Sequence, residues 1–134
     1  MLFISAIFIV GGVLFLIISL TKRSPRVLDQ DKYRSRWMAI ETRLKRDDEA
    51  NHTLCILEAD KLLDAALKDR GMVGKTMAER MKQCQGRWTN GNGVWAAHKL
   101  RNRIVHETDV HLGYERTRQA IVAYKQALKD VGAI

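Results

Sequence analysis

The sequence predicts an all-α chain in which one apolar helix precedes a four-helix-type bundle with one extra short helix. Three observations point there. Only one proline, Pro25, occurs in 134 residues, and a composition rich in Met, Leu, Ala, Lys, Glu and Arg favours helix over sheet. Residues 2–20, LFISAIFIVGGVLFLIISL, carry no charged side chain. Later segments repeat apolar residues at intervals of three and four, the period of a helix with one buried face.

The apolar run comes first. At the rise of an α-helix it would reach about 28 Å, close to the ~30 Å hydrocarbon core of a bilayer, so a single transmembrane helix is expected. A cleaved signal peptide needs a basic region before the apolar stretch and a small-x-small site after it. Neither is present. Lys22, Arg23 and Arg26 follow the run and no charged side chain precedes it. The positive-inside rule then places the amino terminus outside the cell membrane and residues 21–134 in the cytoplasm. Gly11 and Gly12 are adjacent and lack the small-xxx-small spacing of a tight helix dimer, so the span predicts no oligomer. The expected organisation is an anchor at 1–21, a basic juxtamembrane linker at 22–29 and the bundle at 30–134.

The net charge of +8 is unevenly spread. Residues 21–46 carry nine Lys/Arg against three acidic residues, whereas residues 47–134 carry fourteen against twelve. An anionic inner leaflet attracts such a juxtamembrane segment at roughly 1 kcal/mol per basic residue, so the membrane explains the charge as well as RNA does. Cys55 and Cys84 have no C-x-x-C or Cys/His ligand spacing and face a reducing compartment on this topology. They are expected as free thiols, with no metal and no cofactor.

In the bundle, the first helix is expected from about Gln30 to Arg46, with Tyr33, Trp37, Ile40 and Leu44 on one face. RDDEANH then marks a break. The second helix, TLCILEADKLLDAALKDRG, gathers Cys55, Ile56, Ala59, Leu62, Leu63, Ala66 and Leu67 on a broad apolar face and stops at Gly71. Thr76 with Glu79 three residues later reads as a capping box for a short helix over Met77–Gln83. The loop GRWTNGNG follows, its Asn-Gly pairs suited to positive φ. A third helix begins near Val94. A fourth runs from about Tyr114 to Val131, where Tyr114, Thr117, Ile121, Tyr124, Leu128 and Val131 form a seam that ends at Gly132.

The Gly74-Lys75-Thr76 tripeptide is not a phosphate loop. That motif needs a glycine where Asp69 stands and a strand where a helix is predicted.

The third helix contains WAAHKLRNRIVHET, residues 95–108. On a wheel at about 100° per residue, Leu100, Ile104, Ala97, Val94 and Val105 form one apolar arc. Arg101 falls within that arc. Trp95, His98, Asn102 and His106 form an adjoining strip, and Lys99 and Arg103 point away. A charge placed like Arg101 is costly unless it finds a carboxylate, another subunit or a ligand.

RNRIVH, residues 101–106, resembles the Arg-polar-x-x-x-His signature of the HEPN superfamily, all-α bundles that include many metal-independent ribonucleases. The longer stretch from Leu57 to Glu107 also resembles small single-span bacterial proteins. The resemblance implies a homodimer through the third helix, with a composite site across the interface. In that site His106 would transfer a proton at the RNA 2′-hydroxyl or the leaving oxygen, Arg101 would stabilise phosphate charge and Asn102 would orient them. An imidazole titrating near pH 6.5 and a guanidinium fork suit these roles.

Structural readings stand beside these roles. Arg101 would pair with Glu58 or Asp60, which flank the apolar face of the second helix. His106 would cap its helix or bond Asn102, and His98 would be a structural support. Trp37, Trp88 and Trp95 would anchor core and loops rather than stack bases. Three function classes remain: a membrane-tethered ribonuclease, a non-catalytic RNA- or nucleotide-binding domain, and a membrane-anchored helical scaffold for a protein partner.

Overall fold

The computed structural model describes the backbone of residues 2–21 and 26–134, and the side chains of 3–17 and 26–134. The described residues form six α-helices and no strand: α1 Leu2–Thr21, α2 Gln30–Arg43, α3 Glu49–Asp69, α4 Met77–Lys82, α5 Gly91–His106 and α6 Tyr114–Asp130. Lys22, Arg23 and Pro25, which carry much of the predicted basic linker, lie outside the described residues.

Every described side chain of α1, from residue 3 to residue 17, is exposed. Among the described residues no helix is long and apolar enough to cross a membrane.

The bundle is built on α3, which packs against α2, α4, α5 and α6, while α5 also packs against α6. Pairs Lys32–Asp69 and Arg43–Glu58 set α2 antiparallel to α3. His52 faces Tyr114 and Asp60 bonds Tyr124, which sets α6 parallel to α3. The Thr89–Asp130 bonds and the short 107–113 connection make α5 antiparallel to α6. One end of the bundle therefore holds the start of α2 and the ends of α3 and α6. The opposite end holds the start of α3 and the end of α5.

The apolar spacings lead to the expected core: Tyr33, Trp37 and Ile40 from α2, Ile56, Leu63 and Leu67 from α3, and Tyr124 and Leu128 from α6 are all buried. Each such large side chain contributes roughly 1.5–3 kcal/mol by leaving water. Arg80 of α4 is also buried. It donates to Asp64 at 2.7 and 3.0 Å and to the Gly74 carbonyl at 2.7 Å, which ties the 70–76 connection to α3. Burial alone would raise the Asp64 carboxyl, but the Arg80 and Lys68 cations beside it hold it below its ordinary value.

Several helix ends depart from expectation. α2 stops at Arg43 rather than Arg46, because Leu44 turns to extended backbone (ψ 105°) and settles against the core. α3 starts at Glu49, as the Asp48 side chain accepts from Asn51 N and restarts the helix early. Thr76 Oγ1 accepts from Glu79 N, but the Glu79 carboxylate reaches back to Lys75 N, one residue before the box position. The Asn-Gly pairs make no positive-φ turn. Instead Asn90 caps α5 by accepting from Gly93 N, and Gly91 and Gly93 belong to the helix. Gly71 and Gly132 hold the left-handed φ, 92° and 78°, expected of helix stops.

Candidate functional site

Asp60 lies near the middle of α3, 3% exposed. A carboxylate in that position is costly unless charged or hydrogen-bonded partners replace the water it loses. The neighbouring helices supply them. Tyr124 of α6 donates its hydroxyl to Oδ1 at 2.8 Å, and Nδ1 of the buried His98 of α5 lies 2.8 Å from the same oxygen. Because a carboxylate only accepts, Nδ1 carries the proton. Arg101, one helical turn beyond His98, places Nε 3.4 Å from Oδ2. Burial and the Asp60 carboxylate push the Tyr124 hydroxyl well above its ordinary range, so it stays a proton donor.

The apolar arc of α5 explains this geometry. Val94, Ala97 and Leu100 are buried and turn the His98/Arg101 edge of the helix toward Asp60. Trp95, half-buried, meets the His98 ring edge-on, with centroids 6.4 Å apart. Arg101 Nη1 donates to Asn102 Oδ1 at 3.0 Å. The Arg101 side chain remains 37% exposed. It is anchored from beneath and open from above.

His106 is different. It is the last residue of α5 and is exposed, and its side chain makes no hydrogen bond or ion pair among the described residues. It neither caps the helix nor bonds Asn102, as the structural reading expected. The end of α5 is closed instead by Glu107 N bonding the Arg103 carbonyl, with an Arg103–Glu107 ion pair above it. Val105, placed on the apolar arc by the wheel, is 51% exposed at this end of the helix.

Glu58 does not join the cluster. It pairs with Arg43 of α2, so of the two carboxylates offered to Arg101 only Asp60 takes the role. The structure thus brings together Asp60, His98, Arg101, Asn102 and Trp95, and leaves Glu58 and His106 outside. Sequence reasoning missed Tyr124, which was assigned only to the α6 seam. Its signal was a phenol at a fully buried seam position, since a buried tyrosine hydroxyl needs a partner.

The Asp60–His98–Tyr124 set is sealed and can only position, whereas part of the Arg101 guanidinium and the His106 imidazole face solvent. Among the described residues no group of three or more His, Cys, Asp or Glu side chains is placed to hold a metal. Comparison with known proteins finds no matching family, no matching curated protein and no matching solved structure.

Proposed function

We propose that this protein is a membrane-anchored, HEPN-like RNA-binding domain and that α5 builds a metal-independent ribonuclease site with a second copy. One observation carries the reading. Arg101 is fixed by Asp60 and Asn102 while remaining partly exposed, and the His106 imidazole stands exposed and unbonded on the same helix.

In the proposed reaction the RNA 2′-hydroxyl attacks the adjacent phosphorus and the bond to the 5′-oxygen breaks, leaving a cyclic phosphate and a free 5′-hydroxyl. His106 moves a proton at one of those two oxygens, and Arg101 offsets the charge that builds on the phosphoryl oxygens. Asn102 holds the guanidinium plane. The imidazole contributes roughly 10²–10⁴-fold if it acts as a positioned acid or base.

The anchor rests on α1. Residues 2–20 carry no charged side chain and as one helix would measure about 28 Å, close to a hydrocarbon core, a length the described residues alone do not reach. The described side chains of α1 are exposed, as suits contact with lipid. The anchor leads into the start of α2, and His106 lies at the other end of the bundle. The proposed site is thereby held away from the point of attachment, with the bundle on the cytoplasmic side.

The Asp60–Arg101 pair favours a second reading, a non-catalytic membrane-tethered scaffold in which the signature only packs α5 on α3. The two are separated by incubating the detergent-solubilised full chain, verified as a dimer, with single-stranded RNA in excess chelator. The ribonuclease reading expects cleavage that Lys99→Ala, altered on the solvent face, retains. Intact RNA from the dimeric protein would give first place to the scaffold.

A further inference from the structure

On the flank of the bundle, α2 and α3 enclose a groove of about 350 Å³. Its floor is Ile40 and Leu62 with the small Ala39 and Ala65, which let a ligand come close to both helices. Its rims carry three cations and one carboxylate, Glu58. Arg36 and Arg43 stand on α2 and Lys61 on α3. Arg43 is matched by Glu58, whereas Arg36 and Lys61 have no ion pair among the described residues. The Arg43–Glu58 and Lys32–Asp69 pairs set the helix register, so Lys61 lies across from Ile40 and Arg36 lies one turn nearer the start of α2. Arg36 and Lys61, offset by about one helical turn, therefore flank an apolar floor from the two helices.

The groove also lies within reach of a membrane. Residues 22–29 join α1 to α2, and because Leu28 is buried in the bundle and the Arg26 carbonyl accepts from Arg70, the reach is shorter than the ~30 Å that eight extended residues would span. Arg36 is a further ~9 Å along α2. We propose that this groove binds the phosphate headgroup of an anionic phospholipid, with Arg36 and Lys61 on the phosphate and the apolar floor against the glycerol and first acyl carbons. The inference rests on α1 being a membrane anchor and adds a second, charge-selective contact to it.

That contact would orient the bundle. On the wheel of α3, Asp60 points roughly 150° away from the groove residues. With the groove on the leaflet, the Arg101 face of α5 turns toward the cytoplasm.

The test reconstitutes the full chain in nanodiscs of phosphatidylcholine alone or of phosphatidylcholine with phosphatidylglycerol, and follows amide hydrogen exchange by mass spectrometry. Peptides covering 36–43 and 58–65 should exchange at least several-fold more slowly in the anionic discs, with α5 and α6 unchanged. The Arg36→Gln/Lys61→Gln double variant, folded by circular dichroism, should lose that difference. Equal protection in both discs would mean that protein covers the groove, and would overturn the assignment. So would protection produced by soluble glycerol phosphate in neutral discs but not by the anionic lipid. If the chain does not co-elute with discs at all, the anchor reading fails and this inference fails with it. Co-elution without a lipid-dependent difference overturns the headgroup site alone.

Discussion

Arg101 and His106 share one helix, yet the first is built into the bundle and the second is not. Arg101 is tied to a buried carboxylate that also serves His98 and Tyr124. His106 ends α5 in solvent, and its side chain makes no bond among the described residues. A side chain that supports the fold is retained for packing whatever the protein does. An exposed imidazole contributes almost nothing to folding, so its substitution reports on function alone. Stability and activity should therefore separate along the six residues of the signature.

The strongest break of this comparison is at its buried end. Asp60→Ala strands His98, Arg101 and Tyr124 together, and loss of one partner in a buried charged set typically costs about 3–5 kcal/mol. Chemical denaturation of the detergent-solubilised chain should show that loss. A change below ~1 kcal/mol, the range of surface pairs, would mean that Asp60 is not the hub.

Tyr124→Phe removes one donor and leaves the others in place. A hydrogen bond to a charged group is worth about 1.5–3 kcal/mol, so the variant should fall between wild type and Asp60→Ala. Equal loss in the two variants would show that the phenol, rather than the carboxylate, organises the cluster.

Acid sharpens the comparison by acting on carboxylates elsewhere in the bundle. Burial raises the Glu41 carboxyl, but hydrogen bonds from Lys125 and Trp37 outweigh it and bring the group below its ordinary value. Asp64 behaves likewise beside Arg80. Both are lowered in the folded state, so their stabilisation is present above the unfolded carboxylate range of about 4 and is lost as pH falls through the lower folded values. Denaturation midpoints should drop in that window, and Glu41→Gln should make the drop shallower. A midpoint independent of pH there would remove these pairs from the stabilising set.

Much of the bundle was legible because its signals are local. Tyr33, Trp37 and Ile40, or Tyr124 and Leu128, recur at helical spacing, and glycines 71 and 132 stop helices by a conformation their neighbours cannot adopt. What was not legible depends on relations between helices. Glu58 and Asp60 look equivalent beside Arg101 until the register of α2 gives Glu58 to Arg43. His98 sits on the polar strip of the α5 wheel, yet Asp60 draws it into the interior. Asn90 was ambiguous in itself, since Asn-Gly suits a turn and Asn also suits a helix cap. Val105 was placed by periodicity alone, which says nothing about where a neighbouring helix stops covering the face.

Arg101→Ala should have a smaller effect on folding than Asp60→Ala. Its side chain is 37% exposed and the 4%-exposed Asp60 side chain keeps His98 and Tyr124, so the loss should lie above the ~0.2–1 kcal/mol of an exposed pair and below the ~3–5 kcal/mol of a broken buried set. Its effect on RNA should be larger than its effect on folding. A destabilisation as large as that of Asp60→Ala would place Arg101 with the structural residues.

His106→Ala has the smallest expected effect on stability and the largest on function. Surface substitutions usually stay within about 0.5 kcal/mol. The deciding measurement takes one preparation of the full chain carrying His106→Ala, verified as a dimer, and records both its denaturation midpoint and its cleavage of single-stranded RNA in chelator, beside wild type. An unchanged midpoint with cleavage reduced by about a hundredfold or more is the result predicted for an exposed proton-transfer group. Cleavage equal to wild type at that unchanged midpoint would contradict it.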